Sequence, residues 1–84
     1  MDFADYIKSA RAEKNLTRSE MSRRVGITPQ YAMDIERGLA IPSEDKIEKI
    51  VEVLDLDEKT AFRLADRLPT RYYEEAKKKY FEEE

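Results

Sequence analysis

Neither cysteine nor histidine occurs among the 84 residues. The first absence removes disulfides, thiol nucleophiles and thiolate metal sites; the second removes imidazole ligands and the side chain that most often moves protons near neutral pH. An all-carboxylate metal or acid–base site stays open, yet the Asp, Glu, Lys and Tyr residues show no convergent pattern beyond helix-surface spacing. No catalysis, cofactor or metal is therefore expected. Tryptophan is absent, and glycine and proline are scarce, at two and three residues, which argues for a short helical protein rather than a disordered tail. No apolar run approaches the ~20 residues that a membrane span requires, and no signal peptide or lipidation motif opens the chain, so a cytoplasmic protein without membrane contact is the expectation. Positive charge is in deficit. The net charge of −3 argues mildly against a nucleic-acid partner, because such proteins usually carry a cationic surplus.

What is present is dominated by helix punctuation. Asp2 is placed to cap a first helix over residues 3–14, where Phe3, Ile7 and Ala10 recur at helical spacing with Tyr6 alongside. Asn15 is expected to end it in the left-handed region. Thr17 and Glu20 form a capping box that opens a second helix, with Met21 and Val25 on its apolar face and Gly26 as its stop. Thr28 followed by Pro29 opens a third helix over residues 29–37, with Ile35 facing inward and Gly38 ending it. Residues 39–42 read as a loop, and Ser43 is expected to cap a fourth helix in which Ile47, Ile50, Val51 and Leu54 form a stripe. Asp57 caps a fifth segment carrying Ala61, Phe62, Ala65 and Leu68, which Pro69 should terminate. Thr70 caps a last helix with Tyr72, Tyr73, Ala76, Tyr80 and Phe81 as its apolar positions and Glu74–Lys78 and Glu75–Lys79 as i,i+4 pairs. The expectation is an all-α bundle of five or six helices.

Two short helices joined through a glycine-centred turn, the second opening on Thr-Pro-Gln, satisfy the geometry of a helix-turn-helix. From Phe3 to Leu56 the chain resembles the Cro and phage-repressor type (Xre-like) helix-turn-helix family, and so the lambda-repressor-like DNA-binding fold. The resemblance rests on the ordered, gap-free run from Leu16 to Tyr31, then on Ile35, Glu36, Arg37 and Gly38, then on Pro42 and Ser43. It implies a DNA-binding unit over residues 1–56, followed by a C-terminal helical extension over 57–84 that serves dimerisation or a partner.

Carried over position by position, the resemblance implies that Glu36 pairs with Arg11 in a structural salt bridge. Small and polar, Ser22 lets two helices approach, and its hydroxyl should bond back to a helical carbonyl. Pro29, Gln30, Met33 and Asp34 would face base edges in the major groove. Gln30 is the best reader, because an amide can donate and accept at once on the N6 and N7 edge of adenine, whereas Pro29 and Met33 offer only apolar contact, for instance to a thymine methyl. Asp34 either accepts from cytosine N4, pairs with Arg37, or weakens binding. Thr17, Arg18, Thr28 and Arg37 are placed to hold phosphates.

The charge objection weakens locally, since five cations face three acids between residues 14 and 38. This thin surplus implies modest affinity per monomer and a homodimer on double-stranded DNA, with half-sites about 34 Å apart or a multiple of it. Where relatives carry polar or basic loop residues, this chain has Leu39, Ala40 and Ile41, which puts loop phosphate contacts in doubt and makes Leu39 and Ile41 candidates for a subunit interface. Tyr72, Tyr73 and Tyr80 either pack on their own domain or contact a second copy or a protein partner. The function implied is a sequence-specific transcriptional regulator, a repressor on a palindromic operator. The rivals are an antitoxin-like protein whose C-terminal helices bind a partner, and a helix-turn-helix retained only for protein interaction.

Overall fold

A computed structural model describes residues 1–66, and among these every regular element is an α-helix: α1 (Phe3–Glu13), α2 (Arg18–Val25), α3 (Pro29–Glu36), α4 (Glu44–Leu54) and α5 (Glu58–Leu64). The expectations for residues 67–84, including the helix opened by Thr70 and the roles of Tyr72, Tyr73 and Tyr80, lie outside the described residues.

Side-chain caps start four of the five helices. Asp2, Thr17, Thr28 and Asp57 each accept from the backbone N–H three residues on, at 2.8–3.0 Å, satisfying a donor that a helix start otherwise leaves open. Ser43 departs from expectation. It occupies the N-cap position of α4 in extended backbone, but its hydroxyl makes no capping hydrogen bond, and α4 opens with Glu44 and Asp45, which favour the positive end of the helix dipole.

One device closes the first four helices. A left-handed residue follows each last turn, and the next N–H returns to a carbonyl five residues back: Leu16 to Arg11, Ile27 to Ser22, Leu39 to Asp34 and Leu56 to Val51, at 2.8–3.2 Å. The left-handed residues are Asn15, Gly26, Gly38 and Asp55. α5 ends on another, Asp66, at φ 56°. The helix therefore stops after Leu64, ahead of the expected termination at Pro69, because an aspartate tolerates the left-handed region and ends the helix before the proline is reached.

Phe3, Ile7 and Ala10 from α1, Met21 and Val25 from α2, Ala32 and Ile35 from α3, and Ile47, Ile50 and Leu54 from α4 make one buried core with Leu16. Val51 is only half-buried at its edge. Ala61, Phe62 and Ala65 belong to that same core, and α5 packs on both α1 and α4. α5, which follows the boundary expected after residue 56, thus contributes to the same interior as α1 and α4. Against it α2 and α3 pack closely, with Ser22 buried between them and its Oγ donating to the Ser19 carbonyl at 2.9 Å.

Candidate nucleic-acid interface

The first turns of α2 and α3 lie side by side because Gly26, at φ 84°, turns the chain within three residues. At α2 the capping box is complete: Thr17 Oγ1 accepts from the Glu20 N–H at 3.0 Å, and Glu20 Oε1 accepts from the Thr17 N–H at 3.4 Å and from the Thr17 hydroxyl at 3.1 Å. The Thr17 hydroxyl, expected from the sequence to hold a phosphate, here lies in the cap with its hydrogen directed to Glu20. Arg18 and Ser19, in the first turn of α2, are exposed, and N–H groups in a helix's first turn have no helical acceptor. At α3, Thr28 Oγ1 accepts from the Tyr31 N–H at 3.0 Å and keeps its hydrogen to donate.

Between these two helix starts lies an open concavity of about 320 Å³ lined by Thr17, Arg18, Ser19, Pro29 and Met33. It unites residues singled out in the sequence for two different roles, with an apolar floor and a guanidinium beside it. Ser19 was not among them. Its place directly after a capped Thr-Arg start was the available signal, because such a position carries an exposed N–H together with a hydroxyl.

Beside the concavity, exposed Gln30 donates through Nε2 to Asp34 Oδ1 at 3.0 Å. Asp34 thus has an intrahelical partner in Gln30, one the three alternatives left open in the sequence did not include. Arg37 is the exposed C-cap of α3.

Behind the interface, Glu36 takes a two-pronged grip from Arg11, with Nε to Oε2 at 2.7 Å and Nη2 to Oε1 at 2.9 Å. Arg11 Nη1 also donates to the Leu16 carbonyl at 2.8 Å. Arg18 approaches the same carboxylate, with Nε 4.0 Å from Glu36 Oε1. The Glu36 side chain is 3% exposed, against 43% for Arg18, so Glu36 anchors from within a guanidinium whose other face meets solvent. Lys46 of α4, unremarked in the sequence, donates to the Gly26 carbonyl at 3.3 Å, and so holds α4 to the turn. Arg23 and Arg24 are exposed in the last turn of α2. Leu39 and Ile41 are 67% and 43% exposed, whereas Pro42 is fully buried and fixes the loop between them and α4.

The helix-turn-helix family model matches residues 7–60. The chain belongs to the helix-turn-helix family, in its Xre-like branch. The 10 kDa protein of the ImmF control region of Bacillus phage phi105 is 37% identical over 51 residues, a stretch that takes in 61% of this chain and 57% of that protein. A chain from the crystal structure of SinR, described as the master regulator for biofilm formation, in complex with DNA is 34% identical with a TM-score of 0.66, covering 71% of this chain and 97% of that one. A chain from a SinR protein/SinI protein complex is 27% identical with a TM-score of 0.67, covering 95% of this chain and 80% of that one. Among the described residues no helix is long and apolar enough to cross a membrane.

Proposed function

We propose that this protein is a sequence-specific DNA-binding transcriptional regulator, a repressor that binds a palindromic operator as a homodimer. The observation that carries the reading is the juxtaposition, around one concavity, of the α2 start with Arg18 and Ser19 and the outer face of α3 with Pro29 and Met33. A helix N-terminus with a cation suits a phosphate, and a helix face with an amide and apolar groups suits base edges in the major groove. The likeness to SinR, whose structure holds DNA, supports the same assignment.

In this reading Thr17, Arg18, Ser19, Thr28 and Arg37 hold phosphates, while Pro29, Gln30, Met33 and Asp34 face the bases. Gln30 reads adenine, and the Pro29–Met33 floor takes a thymine methyl. The family and fold are those of DNA-binding regulators rather than enzymes. A second reading, a helix-turn-helix that binds a protein, draws support from exposed Leu39 and Ile41 and from the SinR/SinI complex; a second copy of the chain would use the same loop.

The deciding experiment is a selection from random duplexes followed by a salt titration on the winner. The expected results are an inverted repeat among the selected sites and affinity falling steeply with salt, with Arg18→Ala reducing the slope by about one. No salt-dependent binding to any duplex would sink this reading and leave the protein-binding one.

A further inference from the structure

We infer that Asp34 is a specificity-positioning residue, which fixes the Gln30 amide so that it selects adenine over guanine rather than reading a base itself. This rests on the DNA-binding reading above. The carboxylate of Asp34 can only accept, and it accepts from Gln30 Nε2 at 3.0 Å, which dictates which end of the amide faces it. A free glutamine amide has two N–H donors on one nitrogen and a carbonyl acceptor. It can turn its NH2 group toward the O6 and N7 acceptors of guanine, or present one donor and one acceptor to adenine. With one N–H held by Asp34, a single N–H and the carbonyl remain, and that pair complements N7 and the N6 amino group of adenine. Guanine then meets the Gln30 carbonyl with its own O6, acceptor against acceptor.

Placement on α3 supports this action through Gln30. Asp34 lies one turn beyond Gln30 on the same helix, is half-buried where Gln30 is exposed, and has its Oδ1 taken. Its negative charge on a face turned to phosphates opposes binding of every sequence alike. The Gln30 contact converts that general cost into discrimination. A Gln–Asp pair at i,i+4 also steadies a helix, so the test must move something helix stability does not.

The test measures adenine-against-guanine preference at each base pair of the selected duplex for wild type, Asp34→Ala, Gln30→Ala and the double variant, with folding checked by circular dichroism. Asp34→Ala should bind all duplexes more tightly as the charge is lost. At one position only, the one relaxed by Gln30→Ala, it should lose about fivefold or more of its adenine preference, within the range a bidentate base contact supports. The double variant should discriminate no worse than Gln30→Ala. Three results would overturn the inference: an unchanged preference profile in Asp34→Ala, which leaves only helix support; relaxation at a different base pair, which makes Asp34 a reader of its own base; or additive losses in the double variant. A wild type with no sequence preference would fail the DNA-binding reading itself, a result distinct from a selective wild type whose preference Asp34→Ala leaves intact.

Discussion

Arg11 and Glu36, 25 positions apart, meet through two parallel N–H to carboxylate hydrogen bonds of 2.7 and 2.9 Å, and so tie α1 to the last turn of α3. With the two side chains 15% and 3% exposed, removing either one leaves a charge in a largely dry setting. Arg11→Ala or Glu36→Ala should therefore cost about 3–5 kcal/mol in urea unfolding. The swapped pair, Arg11→Glu with Glu36→Arg, should recover only part of this. A carboxylate at position 11 cannot donate to the Leu16 carbonyl, and an arginine at 36 would face Arg18. Full recovery would show that the Leu16 and Arg18 contacts carry no weight.

Gly26 has room but not conformational choice. A Cβ there would meet only Lys46 Nζ at 3.8 Å, and the backbone sits at φ 84°. Gly26→Ala should therefore cost about 1–2 kcal/mol through strain alone, and Gly26→Asn less, since asparagine tolerates the left-handed region. Chemical denaturation of the two variants separates strain from a clash, which would penalise the larger asparagine more.

At the start of α5, the Thr60 hydroxyl and then the Thr60 N–H hold the Asp57 carboxyl below its ordinary value of 3.8. A group whose folded value is depressed contributes stability that is present above its unfolded value and is lost as pH falls through the folded one. Melting temperature should therefore fall from about pH 4 downward, and Asp57→Asn should flatten that acid limb. Thr60→Val should flatten it partly, because the backbone N–H remains. An Asp57→Asn protein with the wild-type acid profile would assign the limb to other carboxylates.

Phe62 is 2% exposed in the core that α5 shares with the other helices. Phe62→Ala should cost about 3–5 kcal/mol, and a chain ended after residue 56 should melt far below the full protein because it uncovers the faces of α1 and α4 that α5 covers. A truncated chain as stable as the full one would support a boundary after residue 56.

Much of this architecture is local and so legible in one dimension. Thr17 with Glu20, Thr28 with Pro29, and Gly26 and Gly38 mark where α2 and α3 begin and end, because caps and left-handed stops act over three to five residues. The apolar spacing of Ile7, Met21, Ile35 and Ile47 marks the faces that meet, because only one side of a surface helix can be buried. The order of the helices and the stripe each buries follow from such local patterns alone. Asp66 lay outside that legibility: an aspartate is only permitted to be left-handed, and Pro69 was the louder signal. The hydrogen bond from Gln30 to Asp34 joins positions i and i+4 of α3, a spacing that permits the contact without requiring it. The concavity of Ser19, Pro29 and Met33, the approach of Arg18 to the carboxylate already gripped by Arg11, and the reach of Lys46 to the turn at Gly26 were decided only by tertiary structure. Each joins residues whose separation in sequence says nothing of their distance until the shared core has set the helices against one another.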